Sequence, residues 1–354
     1  VNRVTMWNVA VERQIQVKGP DAEAFVNYVI TRDATKIKPG NGKYAILCND
    51  KGGILNDPVL LRLTEDEFWF SISDTDLMLW LQGVNVSKKY NVSIDEIDVC
   101  PVQIQGPLSE DLMAKLAGEE LREIPFYGLM ETKIKGVDTV ISQTGFTGEK
   151  GYEIYVRDAH QNAEIVWNSV LEAGEEFGLQ VVAPAHHRRI AAGILSWGQD
   201  MDFETSPFQV NLYYQVPRNK EADYIGKEEL ERQRAVIDGG DFPFKMRMVG
   251  LIFGGKQITD YAPDFWLIAD VDGKDMGYIT SPWWSPELNT NIALGWVPTT
   301  SSEIGTKLQV RLPDEYSESS GVPADGEIVD LPFRESVNPN IREVAKEKGL
   351  DYAE

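Results

Sequence analysis

The most informative stretch of the chain is Gln143-Thr-Gly-Phe-Thr-Gly-Glu-Lys-Gly-Tyr-Glu-Ile-Tyr-Val156. Its glycines indicate turns. After Gly151 every second side chain faces the same side of an extended chain, and one of these two sets is apolar, which predicts a half-buried β-strand. Glu153 follows directly on the turn, so we expect its carboxylate at the mouth of the strand, where ligands are often held. A carboxylate there can accept two parallel N–H bonds from a planar donor edge. The structural alternative is an exposed strand glutamate.

Composition limits the class of protein. The chain has 354 residues, which is enough for two or three domains with substantial cores. The formal net charge of −22, from 56 acidic and 34 basic residues, argues against a nucleic-acid partner. The apolar runs are shorter than a membrane span and no charged-then-apolar leader opens the sequence, so we expect no membrane partner.

Cysteine and histidine usage narrows the chemistry further. Cys48 and Cys100 form no CxxC pair, which disfavours a disulfide framework and favours a reducing cytoplasm. His160 is isolated, and His186 and His187 are neighbours that cannot face one ion from a single helix. We therefore expect no metal site.

The pattern of elements predicts an α+β body with a β domain attached. A glycine-rich linker is expected at residues 239–243, and beyond it short strands at close spacing favour a small all-β domain. In the body, a helix capped by Asp21 follows the first turn, and another is expected over residues 184–195. The charged tail after Phe333 is expected to lie on the surface.

The opening stretch resembles the signature of the aminomethyltransferase (glycine cleavage T-protein) family, S-R-T-G-Y-T-G-E-x-G-x-E-I. Further blocks agree with this family in order and spacing. They are Gly19-Pro-Asp-Ala-Glu-Ala-Phe25, Leu47-Cys-Asn-Asp-Lys-Gly-Gly-Ile-Leu-Asn-Asp-Pro58, and the downstream run Gly277-Tyr-Ile-Thr-Ser281, Ser285-Pro-Glu-Leu288 and Asn291-Ile-Ala-Leu294. The resemblance spans residues 6 to 334 and rests on four ordered blocks.

The resemblance implies a three-lobed cloverleaf around a central folate channel. Residues 1–48 with 139–238 would form a discontinuous first α+β folate-binding domain. Residues 49–138 would form a ferredoxin-like α+β second domain. Residues 239–354 would form a C-terminal all-β domain with a jelly-roll or barrel-like fold.

The resemblance also implies tetrahydrofolate as co-substrate and assigns residues to it. Glu153 matches the carboxylate that grips the pterin ring, whose N3–H and 2-amino group form a planar donor edge. Asp57 matches an aspartate that contacts folate near its reactive nitrogens and is the predicted catalytic residue; its partner aspartate is Asn56 here. Trp69 matches a tyrosine lining the pterin pocket, although a core aromatic is the commoner role. Arg189 matches an arginine that either binds folate or braces the pocket.

Departures from the family pattern point to the second substrate. The family's D-V-S-H-M block is Asn8-Val-Ala-Val-Glu12 here, so its histidine is Val11, and the aromatic before it is Trp7. The family's Y-G-N-D-I-D is Trp197-Gly-Gln-Asp-Met-Asp202. Aromatic faces attract cations that have no N–H to donate, such as sulfonium or quaternary ammonium groups. We therefore predict that Trp197, Trp7 and Tyr214 bind the substrate, the alternative being that they fill space.

With these departures, the resemblance implies a tetrahydrofolate-dependent methyltransferase that demethylates dimethylsulfoniopropionate to 3-(methylthio)propanoate and 5-methyltetrahydrofolate. We expect a cytoplasmic monomer or homodimer whose partners are these small molecules. Three alternatives remain: a glycine cleavage aminomethyltransferase, a dimethylglycine- or sarcosine-processing folate domain, and a non-catalytic folate-binding accessory protein of iron–sulfur assembly.

Overall fold

The computed structural model describes residues 3–183 and 186–334. These residues form two compact units, one comprising residues 3–183 with 213–230 and the other residues 186–212 with 231–334. The division of the N-terminal part into two domains, at residues 49 and 139, remains a prediction.

The first unit contains two principal β-sheets flanked by helices. Its strands are β1 (Thr5–Asn8), β2 (Gln14–Lys18), β3 (Asn41–Tyr44), β4 (Leu47–Cys48), β5 (Ile54–Asn56), β6 (Val59–Arg62), β7 (Glu67–Ser71), β8 (Ser93–Glu96), β9 (Val99–Gln105), β10 (Leu129–Ile134), β11 (Val137–Ser142), β12 (Gly151–Arg157) and β13 (Gln180–Val181). Its helices are α1 (Ala22–Val29), α2 (Leu77–Lys88), α3 (Ser109–Ala117) and α4 (Ala159–Gly174), with short 3-10 helices at Ala34–Lys36, Glu119–Glu123, Glu175–Phe177 and Tyr213–Gln215.

The strand order explains how distant segments meet. The first sheet has the order β10-β11-β12-β9-β1-β13, antiparallel except for the parallel β1–β13 edge. The second sheet has the order β3-β6-β7-β2-β8 and is antiparallel throughout. Strands β4 and β5 form a separate hairpin around the turn at Gly52 and Gly53.

Each sheet has a helix-covered face and an inner face. Helices α3 and α4 cover the first sheet, and α1 and α2 cover the second, each over an apolar core. The inner faces contact each other through a small cluster that includes Leu61, Trp69, Val140 and Tyr155. Strand β12 is consequently buried on both faces up to Val156, and the prediction of a half-buried strand was wrong. Alternation marks a single solvent face, but here the second face is covered by the other sheet.

The turn before β12 is built on a buried glutamine. Gln105 donates from Nε2 to the Thr144 carbonyl at 3.1 Å and accepts from the Thr147 hydroxyl at 2.5 Å. A Cβ atom at Gly145 or Gly151 would lie 2.1 Å from Gln105 Nε2, so any larger residue at either position would displace the Gln105 carboxamide. The glycine pattern of this turn therefore reflects close packing against the side chain that holds it.

Two predicted helix details differ from the structure. Helix α1 begins at Ala22 as expected, but the Asp21 carboxylate makes no capping bond and accepts from the Asn91 amide at 2.7 Å. The helix predicted over residues 184–195 is α5 (His186–Ala191), and Pro184 lies outside the described residues. Gly193, with φ of +69°, follows the end of α5, as expected for glycine after a helix terminus.

The second unit contains a closed β-barrel. Its strands are β14 (Met246–Phe253), β15 (Trp266–Ala269), β16 (Asp275–Ser285), β17 (Thr290–Pro298), β18 (Lys307–Val310) and β19 (Ala324–Val329), in the order β14-β17-β16-β15-β18-β19 with β19 closing on β14. Helix α6 (Lys227–Asp238) precedes the predicted linker, and a 3-10 helix follows β17 at Thr299–Ser301. The predicted α+β class and C-terminal all-β barrel are confirmed.

Two further expectations concern the ends of this unit. Strand β19 has no strong signal in the sequence, because Ala324-Asp-Gly-Glu-Ile-Val329 lacks a clear apolar alternation. The expected surface tail lies beyond residue 334, outside the described residues. Within the described ranges, the helices all lack the length or the apolar character needed to cross a membrane.

The packing of the turn predicts the effect of a small substitution. Gly151→Ala would place Cβ 2.5 Å from the Ile104 carbonyl oxygen as well as against Gln105, so we expect a loss of about 1–3 kcal/mol in unfolding free energy, typical of overpacking. Gly83→Ala is the control and should be neutral or stabilising, because Gly83 is exposed on α2 and a Cβ there would meet nothing within 4 Å. Urea denaturation of both variants tests this, and equal stability of the two would contradict it.

Candidate active site

One row of side chains crosses the inner face of the first sheet. Strand register places Trp7 opposite Gln103, Gln103 opposite Glu153, and Glu153 opposite Ser142. Directly paired residues point to the same face, so these four side chains share it. Trp7 and Glu153 are therefore separated by two strand spacings, about 10 Å between backbones. The structure thus brings together one residue predicted to bind folate and one predicted to bind the methyl donor.

Glu153 is a buried carboxylate held by hydroxyl groups. Its side chain is 2% exposed, and Oε2 accepts from Thr144 Oγ1 at 2.5 Å and from the Tyr155 phenol at 2.9 Å. Ser142 forms a further short hydrogen bond with the Thr144 hydroxyl. Burial raises the pKa of the Glu153 carboxyl, although the two hydroxyl donors oppose that shift. A carboxylate buried against neutral donors retains the capacity to bind further N–H groups.

Glu12 is a second carboxylate here, and the sequence analysis did not single it out. Its Oε2 accepts from Ser71 Oγ at 3.2 Å. The residue is only partly covered, but protein surrounds its carboxyl, and this desolvation raises its pKa well above the usual range. Glu153 and, less strongly, Asp57 raise the Glu12 pKa further by repulsion. Glu12 is the last residue of the block that departs from the family pattern, and this position is the sequence feature that could have identified it.

Asp57 is fixed by two hydroxyl donors. Ser73 Oγ donates to Oδ1 at 2.5 Å, and the Tyr44 phenol donates to Oδ2 at 3.0 Å. Tyr214, on the 3-10 helix at Tyr213–Gln215, is close enough to Asp57 for the carboxylate to raise its pKa, although desolvation is the larger cause. The Tyr214 side chain is 59% exposed, so it borders this region from the solvent side.

Asn56 has a structural role. It is fully buried, with Nδ2 donating to the Ser73 carbonyl at 3.0 Å and to Thr75 Oγ1 at 2.9 Å, while Oδ1 accepts from the Ser73 amide at 3.2 Å. This side chain ties β5 to the segment after β7, which also carries Ser73 to Asp57. The amide therefore helps position the neighbouring aspartate.

The two predicted indoles of this unit are both buried. Trp69 packs edge-to-face with Tyr155, has the Arg157 guanidinium 4.7 Å from its ring centroid, and donates to Glu67 Oε1 at 3.1 Å. Its stacking on a pterin remains a prediction; Tyr155 contacts both the Trp69 ring and the Glu153 carboxylate. Trp7 donates its N–H to Thr5 Oγ1 at 2.9 Å, which leaves only the ring faces for a ligand.

Arg189 and Trp197 belong to the second unit. Arg189 is 1% exposed and donates to Asp200 Oδ2 at 2.5 Å and to Ser281 Oγ at 2.8 Å. Asp200 also accepts from Thr280 and Ser281 hydroxyls and from the Ser196 amide. Of the two roles left open for Arg189, these contacts favour the brace, because most of its N–H donors are already used.

The same network organises the turn that carries Trp197. Arg189 Nε donates to His186 Nδ1 at 3.4 Å, and burial together with the arginine charge lowers the pKa of His186 to about 4. The Trp296 indole N–H donates to the backbone carbonyl of Asp200 at 3.0 Å. Trp197 is partly exposed in the turn closed by the Gly198 amide and the Met201 carbonyl. Asp200 is the organising residue that sequence reasoning passed over, although it lies in the same block as Trp197.

Across residues 3–183 and 186–334, no group of three or more histidine, cysteine, aspartate or glutamate residues is arranged to hold a metal ion. Glu12 lies within electrostatic range of both Glu153 and Asp57, so these three carboxyl groups form one acidic cluster.

Known proteins resemble this chain along most of its length. The GCVT N-terminal domain profile matches residues 1–220, and the glycine cleavage T-protein C-terminal barrel domain profile matches residues 247–333. The dimethylsulfoniopropionate demethylase DmdA of Ruegeria pomeroyi is 32% identical over 320 residues, covering 88% of this chain and 82% of that protein. An aminomethyltransferase of Oceanobacillus iheyensis is 31% identical over 328 residues, covering 90% and 85%.

A solved structure shows the same fold. The glycine cleavage system aminomethyltransferase T of Bartonella henselae superimposes with a TM-score of 0.80 at 24% identity, covering 94% of this chain and 87% of that one. The profile matches and the two relatives establish the family, whose members are tetrahydrofolate-dependent transferases. This chain belongs to the aminomethyltransferase (glycine cleavage T-protein) family.

Proposed function

We propose that this protein transfers a methyl group from dimethylsulfoniopropionate to N5 of tetrahydrofolate. The observation that carries the proposal is the row Trp7–Gln103–Glu153, in which an indole face and a buried carboxylate flank one residue. Glu153 would accept from N3–H and the 2-amino group of the pterin. Trp7 would bind the sulfonium through its ring face, since its N–H is already bonded to Thr5.

The charge around Glu12 supports a cationic donor. The charged groups that act on Glu12 are Glu153 and Asp57, both acidic. A buried acidic cluster lowers its own free energy by binding a cation, which relieves the repulsion. A sulfonium carries a fixed positive charge and no proton, so it suits both this field and the Trp7 face.

The reaction needs positioning more than acid catalysis. The N5 lone pair would form the new C–N bond while the C–S bond breaks and its electron pair stays on sulfur, giving a neutral thioether. N5 then loses its proton, either to water or to the Glu12 carboxylate. Holding N5 behind the methyl group at near-attack distance is the main contribution of the enzyme. Asp57, fixed by Tyr44 and Ser73, would orient the N10 side of the folate.

The proposed donor is tested by an anaerobic assay of the purified protein with tetrahydrofolate. Dimethylsulfoniopropionate, glycine betaine, dimethylglycine and an aminomethyl-lipoyl carrier protein are compared as donors. We expect 5-methyltetrahydrofolate only with the sulfonium. Methylenetetrahydrofolate and ammonia formed from the aminomethyl carrier would instead establish the glycine cleavage activity. Tight folate binding without turnover of any donor would favour the accessory-protein alternative.

The role of Glu153 predicts a loss of folate affinity on substitution. Glu153→Gln replaces one acceptor oxygen by a donor that opposes the 2-amino group, so one hydrogen bond is lost and the other is no longer charge-assisted. We expect the Kd of tetrahydrofolate to rise at least about 100-fold. Glu172→Gln, at an exposed carboxylate on α4, is the matched control and should leave the Kd unchanged. Calorimetric titration gives both values, and an unchanged Kd in Glu153→Gln would remove the pterin assignment.

Substitution of Glu12 should stabilise the fold and weaken binding of the methyl donor. Its folded pKa is raised, so its ionised form is penalised in the folded state, and this penalty grows as pH rises through the folded pKa. Glu12→Gln should therefore have a higher Tm than the wild type at pH 8, with the difference vanishing as pH falls to about 4.3, the unfolded value.

The same substitution removes a carboxyl group whose ionised form a bound sulfonium would stabilise, so the KM of the donor should rise about tenfold. Glu96→Gln, at an exposed glutamate paired with Arg13, is the control for both measurements. A Glu12→Gln variant that is less stable than the wild type at pH 8 would contradict the electrostatic account.

A further inference from the structure

Gln103 carries a buried carboxamide that makes no hydrogen bond with the described part of the protein. The residue is 0% exposed, and both Nε2 and Oε1 lack a partner. Burying an amide without partners costs free energy, so such groups are rare in folded proteins and often belong to ligand sites. Gln105, two residues later on the same strand and face, has both carboxamide atoms hydrogen-bonded. The two glutamines differ because Gln105 holds a turn and Gln103 holds nothing in the described chain.

The location of Gln103 connects it with the proposed folate site. It lies on β9 between β12 and β1, directly opposite Glu153 on one side and Trp7 on the other. Adjacent strands are about 4.8 Å apart, so the Glu153 and Gln103 side chains begin one such spacing apart and point to the same face. A planar ligand held by Glu153 along the row would meet Gln103 next.

The chemistry of a reduced pterin matches this pair. Along one edge the ring presents the 2-amino group, N3–H, the 4-oxo group and N5–H, which is the order donor, donor, acceptor, donor. Glu153 supplies two acceptors, and Gln103 supplies one donor, Nε2, and one acceptor, Oε1. The two side chains together complement all four groups.

We propose that Gln103 binds the 4-oxo and N5–H groups of tetrahydrofolate and so selects a folate whose N5 carries no substituent. This inference rests on the proposed folate site at Glu153. The hydrogen bond from N5–H to Oε1 holds N5, the atom that receives the methyl group, in place. The N5 lone pair then points out of the plane of the pterin ring. Once N5 is methylated and its proton lost, Oε1 has no donor to bind, and the product is held less tightly than the substrate.

The test compares Gln103→Met with Thr139→Val under anaerobic conditions. Methionine keeps the length of glutamine and removes both polar atoms. Thr139 is a buried polar residue of the same sheet on the helix-covered face, bonded to the Thr132 carbonyl, and serves as the matched control. Calorimetry gives the Kd of tetrahydrofolate and of 5-methyltetrahydrofolate for each protein, and a thermal scan gives the Tm without ligand.

We expect Gln103→Met to keep or raise the unliganded Tm, because two unpaired buried atoms are removed. The Kd of tetrahydrofolate should rise about tenfold or more, and that of 5-methyltetrahydrofolate only about threefold, so the preference for the unmethylated folate shrinks. Thr139→Val should retain the wild-type preference. If Gln103→Met does not fold, Gln103→Asn, which withdraws the carboxamide by one methylene, is expected to show the same selective loss.

Two results would overturn the inference. Unchanged affinity for tetrahydrofolate in Gln103→Met would remove Gln103 from the site, and an equal loss for both folates would mean that it only supports the fold. Failure of the wild-type protein to bind either folate is a different result, because it overturns the proposed function at Glu153 and the role of Gln103 together.

Discussion

The burial of the Glu153 carboxylate between two sheets is the constraint on which the rest of the first unit depends. A charge in this position requires donors, and they come from Thr144 in the preceding turn and from Tyr155 on the same strand. Thr144 is in turn placed by Gln105, and Tyr155 packs against Trp69 of the second sheet. The glycine-rich turn, the strand and the sheet-to-sheet contact therefore all position one carboxylate.

Satisfied and unsatisfied polar groups separate structural from ligand-binding residues in this protein. Asn56, Gln105 and Arg189 are buried with most of their hydrogen-bonding capacity used, and each fixes a loop or turn. Gln103 and Glu12 contrast with them. The Gln103 carboxamide lacks a partner among residues 3–183 and 186–334, and burial beside acidic neighbours raises the pKa of Glu12. Folded proteins rarely retain such costs without a functional gain, because a buried polar group without partners destabilises the fold.

Similarity to relatives does not identify the methyl donor of this protein. The chain is 32% identical to a protein named as a dimethylsulfoniopropionate demethylase and 31% identical to one named as an aminomethyltransferase. A common fold and a common folate site account for likeness of this degree to both. The donor is decided by a few side chains near N5, and in this chain we propose that those include an indole with its N–H already bonded and a glutamate in an acidic setting.

The sequence by itself determined the family, the α+β class and the C-terminal barrel. It also identified Glu153 and Asp57 as candidate site residues, because the glycine and carboxylate motifs occur in the order and spacing of the family. It did not reveal the burial of β12 on both faces, since alternation does not report a second sheet packed over a strand. It also missed Glu12, Gln103 and Asp200. The roles of these residues depend on which strands are neighbours and on which polar atoms are hydrogen-bonded. Pairing between segments a hundred residues apart arises only in the tertiary structure, so the sequence could not show it.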